Sequence, residues 1–191
     1  MAAADPLREG SIVVKGLRKV YGGLGKSAKV AVKNLHLAVE PNPTLGLLGP
    51  NGSGKSTTIS MLTGLFAQSG GEAHVGGKSI THEMVDVQHI MGVCPQHDTL
   101  WGKLTVEETF LFYARLKGVP PGEETQHVED MVAAVGLETK FKDKIDNLSG
   151  GQRRRVSIGL ALTGGSKIIF LDEPTTGKAP LVASLGRGDV M

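Results

Sequence analysis

Cysteine is nearly absent: Cys94 is the single one in the chain, so no internal disulfide can form, and the count says little about compartment. Long apolar runs are missing too. None approaches the roughly 18 residues a membrane helix needs, so any membrane span serving this protein is expected from another segment or another chain. Residues 1–10 lack an apolar core, so no secretion signal is expected there, and they are read as a disordered N-terminus. Excess charge is also lacking: the net value is +2, too small for a nucleic-acid footprint. Glycine, by contrast, is abundant, at 27 of 191 residues against a usual share of about 7%. Hydrophobic residues at 40% and charged residues at 21% are ordinary for a globular chain of one domain, or one domain with a subdomain. That length is enough to bury a real core.

Three of these glycines lie in one motif. Gly49-Pro50-Asn51-Gly52-Ser53-Gly54-Lys55-Ser56 fits the phosphate-binding loop G-x-x-x-x-G-K-S/T at every fixed position. Thr44 to Leu48 before it is a short apolar run that reads as a buried strand. Ser56 to Leu62 after it begins polar and turns apolar, as a helix would, with Thr57 in its first turn. Strand, glycine-rich loop and helix form the context in which the loop works. Glycines let backbone N–H groups crowd toward a phosphate, and the helix N-terminus adds partial positive charge. Lys55 can reach outer phosphates, and the Ser56 hydroxyl can serve Mg²⁺.

Around this loop the chain reads as a succession of units. Residues 11–37 form a small antiparallel β unit, with Ile12 and Val14 in one run and Val30, Val32 and Leu37 in the next, joined by a loop at Gly22 to Gly25. Tyr21 either stacks on a flat base or is a core or strand-end tyrosine. Pro41-Asn42-Pro43 turns the chain toward the loop strand. Residues 72–80 hold strand-like pieces around Gly76-Gly77. Ile90 to Cys94 reads as a buried strand stopped by Pro95, and Gln96 follows at its end, where it reaches a ligand or caps a turn. Residues 104–145 become helical. Thr105 and Glu108 fit a capping box, Val106, Phe110 and Ala114 follow at spacing four, and Val128, Met131, Val132 and Val135 mark a second helix that Gly136 stops. These stripes are read as core of a helical subdomain, about residues 97–147, inserted into a sheet protein.

Leu148-Ser149-Gly150-Gly151-Gln152 opens another helix, with Val156 and Leu160 on one face. Ser149 and Gln152 fit a capping box, and the same N-terminus, with two glycines and a hydroxyl, is an anion site. Arg153, Arg154 and Arg155 read as a solvated face rather than a nucleic-acid patch. Lys167 to Leu171 is a continuous apolar run, hence a buried strand of a parallel sheet. It ends in Asp172-Glu173-Pro174. Two adjacent carboxylates at a buried strand end are costly unless something there needs charge, as Mg²⁺ carrying nucleotide phosphates would.

From about residue 12 to 177 these motifs, in this order and spacing, resemble the nucleotide-binding domain of ATP-binding-cassette (ABC) transporters. The Leu148 to Gln152 signature is the most specific of them. Val93-Cys94-Pro95-Gln96-His97-Asp98 and Tyr113-Ala114-Arg115-Leu116-Lys117-Gly118 look like the A subfamily, whose members are mostly lipid exporters. The resemblance implies an α/β P-loop NTPase fold: an N-terminal antiparallel β subdomain, a mostly parallel core sheet and the inserted helical subdomain, together spanning 11–177, with a divergent tail at 178–191. It implies ATP and Mg²⁺ as ligands. Tyr21 would stack on adenine, and residues Gly49 to Thr57 would wrap the phosphates. Ser56, Gln96 and Asp172 would serve the metal, with Gln96 sensing the attacking water and Glu173 acting as general base. Ser149 and Gly151, with Gly150 and Gln152, would contact a γ-phosphate bound on a second cassette in a head-to-tail dimer. The cassette would lie on the cytoplasmic face of a membrane, joined to transmembrane domains of the same parent protein or another chain, with no nucleic-acid partner.

The likeness stops after Pro174-Thr175-Thr176-Gly177. The family continues Leu-Asp-Pro, whereas this chain has Lys178-Ala179-Pro180, so Ala179 stands where an aspartate links the cassettes. A family histidine lies about thirty residues past the Glu173 position, and all six histidines here are upstream of Asp172. The strand leading to that histidine lies, in the family fold, between the phosphate-loop strand and the 167–171 strand. Without it two sheet edges face each other unpaired, at about 1–3 kcal/mol for each dry polar group. The expectation is a C-terminally truncated or altered cassette that hydrolyses ATP poorly alone. The competing readings are a nucleotide-binding fragment without turnover, an incomplete product with no stable fold, and a soluble cassette ATPase not linked to transport.

Overall fold

The computed structural model describes residues 10–22, 28–41 and 44–173. The expectations for the N-terminus, for the loop at residues 23–25, for Asn42-Pro43 and for everything from Pro174 to the tail lie outside the described residues. The chain divides after Met91 into two compact units.

The first unit is built on a four-stranded sheet with order β2-β1-β3-β4, from β1 (Ile12–Tyr21), β2 (Lys29–Val39), β3 (Gly70–Val75) and β4 (Lys78–Ser79). All three pairings are antiparallel. β1 and β2 are the antiparallel unit expected for residues 11–37, and β3 joins the free edge of β1, with Ile12 opposite Val75 and Val14 opposite Ala73. Val13, Val14, Leu17, Val32, Val39, Ala73 and Val75 are buried. Gly76 and Gly77, at φ 59° and 80°, make the two-residue hairpin turn that needs left-handed backbone at both positions. Two helices complete the unit: α1 (Lys55–Leu62), which buries Thr58, Met61 and Leu62, and α2 (Met84–Ile90), which buries Val87.

Residues 44–48 are not a strand. Leu45, Leu47 and Leu48 are 49%, 36% and 96% exposed, which corrects the expectation of a buried phosphate-loop strand. A strand exists through its neighbours, because its N–H and C=O groups need a ladder. Among the described residues, none pairs with this segment.

In the second unit β5 (Met91–Cys94) and β6 (Ile168–Leu171) lie side by side. The Asp172 N–H donates to the Cys94 carbonyl at 3.0 Å, so the C-terminal ends are level and the pair is parallel. The strand expected from Ile90 begins one residue later, because Ile90 closes α2. Helix α5 (Gly150–Leu162) packs Ile158 and Ala161 against Cys94. On its other side α5 shares a core with α3 (Val106–Leu116) and α4 (Glu124–Ala134). Phe110, Ala114, Val128, Val132, Val156 and Leu160 all meet there. The stripes read at spacing four are core. The fold is α/β, with an antiparallel sheet, a parallel pair and a helical layer.

Candidate nucleotide site

The phosphate loop is shaped by its glycines. Gly52 and Gly54 hold φ values of 83° and 96°, the left-handed region that favours glycine. A β-carbon on Gly54 would stand 2.7 Å from the Ala31 carbonyl oxygen of β2, so the loop closes against the sheet only with glycine there. Gly54 is also the N-cap of α1, and no side chain caps that end; no acidic residue lies in its first turn. The positive end of the helix dipole is therefore unmatched by protein charge. Lys55 folds back across the loop and donates from Nζ to the carbonyls of Gly49 at 2.7 Å and Pro50 at 3.1 Å. The Ser53 N–H closes the turn on Pro50. Asn51 and Ser56 are exposed and Thr57 is half-buried in the first turn. A cationic nitrogen over a loop with an uncapped helix end is a donor set that fits a polyphosphate.

Tyr21 is the last residue of β1 and 36% exposed. Its ring meets Phe66 edge-on at 6.2 Å, and Lys19 Nζ lies 5.2 Å from its centroid. It ends a strand, as one alternative read from the sequence has it, and is not a core residue.

The second unit carries the carboxylates. Gln96 stands just past β5 and Asp172 and Glu173 just past β6. Gln96 Nε2 donates to Glu173 Oε2 at 3.0 Å, so the parallel pair brings together two residues 77 apart in the chain. Glu173 has φ 48°, a left-handed conformation that costs a non-glycine residue about 1–2 kcal/mol. Ser149 caps α5: its Oγ accepts from the Gln152 N–H at 3.2 Å, and its own N–H donates to Gln152 Oε1 at 2.8 Å. Gly150 and Gly151 form the first turn, and a β-carbon on Gly150 would meet nothing within 4 Å. The Cys94 thiol beneath is buried, and that burial pushes its pKa up despite the Arg154 charge.

The expected solvated face fails at Arg154, while Arg153 and Arg155 are half-buried. Arg154 is buried, at 2% exposure. Its Nη1 donates to the carbonyls of Pro95 and, at 3.4 Å, Gln96, and its Nη2 to those of Asp172 at 2.8 Å and Glu173 at 3.0 Å. Arg153 donates to the Leu148 carbonyl and Arg155 to that of Gly136. A guanidinium carries five donors in a fixed fork, and backbone carbonyls at element ends need donors. That demand turns the side chains inward.

The sequence pattern of the family described as ABC transporter matches residues 32–176. The chain belongs to the ABC transporter family. It is 47% identical over 173 residues to ABC transporter A family member 9 of Dictyostelium discoideum, covering 91% of this chain and 20% of that protein. It is 45% identical over 166 residues to the phospholipid-transporting ATPase ABCA3 of Homo sapiens, covering 87% of this chain and 10% of that protein. The chain thus spans a tenth to a fifth of the length of these curated relatives. Among solved structures it resembles the ATP-binding cassette MJ0796, a dimer in a post-hydrolysis state bound to ADP and Pi. The TM-score is 0.83 at 26% identity, covering 93% of this chain and 84% of that one. The chain is an ATP-binding cassette of the ABC ATPase type, with A-family relatives. No helix among its described residues is long and apolar enough to cross a membrane.

The capping box of Ser149 and Gln152 was legible, but the burial of Arg154 was not. A signal existed: Arg154, Ile158 and Ala161 recur at helical spacing, and the last two face Cys94. Extending that stripe by one turn places Arg154 against the strand ends.

Proposed function

We propose that this cassette binds Mg·ATP and hydrolyses it to drive export of a lipid-like substrate, working head-to-tail with a second cassette at the cytoplasmic face of a membrane. The observation that carries the hydrolytic reading is the 3.0 Å bond between Gln96 and Glu173. It joins the residue suited to sensing metal and water with the carboxylate suited to taking a proton. Cassette boundaries at 11–177, with the helical segment at about 97–147, belong to the same reading.

Lys55 would leave the Gly49 and Pro50 carbonyls for the outer phosphates, with the amides of residues Gly49 to Thr57 around them. Ser56, Gln96 and Asp172 would hold Mg²⁺, which when bound neutralises charge building on the phosphate oxygens. Glu173 would orient the attacking water and accept its proton. Tyr21, exposed at the end of β1, would stack on the base. Ser149 accepts from Gln152 through its oxygen, which leaves its O–H as a donor toward the nucleotide of the facing cassette, flanked by Gly150 and Gly151. The dimeric state named for MJ0796 supports the pairing, and the phospholipid-transporting activity named for ABCA3 supports the lipid. Transmembrane domains would come from the same parent protein or another chain. Residues 44–48, unpaired as they lead into the loop, support slow turnover by this chain alone.

Calorimetry and ATPase assays on the 191-residue chain test this. Mg·ATP should bind, Lys55→Ala should weaken binding at least tenfold, about 1.4 kcal/mol, and Glu173→Gln should bind but lose about 10²–10⁴ in rate. A folded sample giving no heat with millimolar Mg·ATP would end the proposal.

A further inference from the structure

We infer that Arg154 is a positioning residue for hydrolysis: one guanidinium fixes the backbone on which both Gln96 and Glu173 stand. The inference rests on the hydrolytic reading above. Four carbonyls accept from this side chain, two from the segment after β5 and two from the segment after β6. Those segments are the ones that carry Gln96 and Glu173, whose side chains then meet at 3.0 Å. The strand ladder stops at the Asp172 N–H bond to Cys94, so past that point no strand pairing holds the two segments in register; the guanidinium does.

Two details sharpen the role. Glu173 sits at φ 48°, and such a conformation persists only where the surroundings over-determine it. Arg154 Nη2 bonds the carbonyls on both sides of that residue's nitrogen, those of Asp172 and Glu173 itself. The charge is also balanced locally. Asp98 Oδ1 lies 3.5 Å from Nη1 and accepts from Ser157 Oγ at 2.7 Å, so Arg154 and Ser157, one turn apart on α5, grip the same carboxylate. Since Ser149, the N-cap of α5, is about one and a half turns away, the side chain also ties the signature to the hydrolytic pair. A lysine cannot replace it. Its ammonium is a point charge with three donors and no planar fork, too few to serve all four carbonyls from one fixed geometry.

The test uses the full chain with Arg154→Lys and Arg154→Gln beside Glu173→Gln. Three quantities are read: Mg·ATP affinity, the single-turnover hydrolysis rate, and amide hydrogen exchange by segment. Both Arg154 variants should keep Mg·ATP affinity within about threefold while hydrolysis falls about a hundredfold, the loss a misplacement of about 1 Å brings. Exchange should rise at residues 96–98 and 172–173 and stay unchanged in α3 and α4. Full activity in Arg154→Lys would overturn the inference. So would affinity and rate falling together with faster exchange throughout, or unchanged exchange at the strand ends. If the unsubstituted chain binds Mg·ATP but does not hydrolyse it, the hydrolytic reading fails, while the exchange comparison still decides whether Arg154 holds the strand ends.

Discussion

Gly92 lies on β5 where the strand touches the backbone of α5: a β-carbon there would stand 1.7 Å from the Ala161 carbonyl oxygen. Neither partner can give way by a rotamer change, since both are main chain. Gly92→Ala should therefore cost about 2–3 kcal/mol or more in urea unfolding, the range for overpacking a tight core. Gly150→Ala is the matched comparison. Open space surrounds its β-carbon position, so its stability should change by less than about 1 kcal/mol. At this scale the sequence was legible wherever chemistry and position coincided. Gln96 and Glu173 were singled out because each follows an apolar run, and the runs turned out to be neighbouring strands. Gly92 could not be read this way, because what makes it necessary is a helix about 70 residues later, and only the fold brings the two together.

Helix caps act over one turn, which is why both capping boxes were readable. Thr105 Oγ1 accepts from the Glu108 N–H at 3.1 Å, and Glu108 Oε2 accepts from the Thr105 N–H at 2.8 Å. Thr105→Ala should destabilise the chain by about 1 kcal/mol. The same box gives α3 a pH response. The hydrogen bond from the Thr105 backbone, then that with its side chain, holds the Glu108 carboxyl below the usual glutamate range. A carboxyl whose pKa is lowered by folding stabilises the folded state above its unfolded pKa and loses that contribution as pH falls through the folded one. Amide protection at the start of α3 should drop as pH is taken below the ordinary glutamate range, and Glu108→Gln, which keeps an acceptor but cannot titrate, should remove that dependence. Protection that declines equally in both proteins would assign the effect to other groups. Elements whose existence depends on partners were harder to read. Helix α2 buries Val87 alone, too little for a visible period, and β3 looked like fragments because its pairing with β1 joins residues about 60 apart.

For the molecule as a whole, the informative segment is the one where local pattern and tertiary structure disagree. Thr44 to Leu48 has the composition of a buried strand, yet Leu48 is 96% exposed and Leu45 49%. Composition reports what a segment needs, not whether the rest of the chain supplies it. The two views predict opposite results for one variant. If the leucines were core, Leu45→Ser with Leu48→Ser would remove two buried side chains, and a single large-to-small core change already costs about 2–5 kcal/mol. With both exposed, the double variant should shift unfolding of the 191-residue chain by no more than about 0.5 kcal/mol per site, as surface substitutions do. It should also self-associate less in light scattering, since contiguous exposed apolar surface promotes association. Mg·ATP affinity should hold, because the loop's shape rests on Gly54 against β2 rather than on the leucines. A loss of more than about 2 kcal/mol, with unchanged scattering, would mean that this stretch is covered in solution by its own chain, and the strand reading of the sequence would stand.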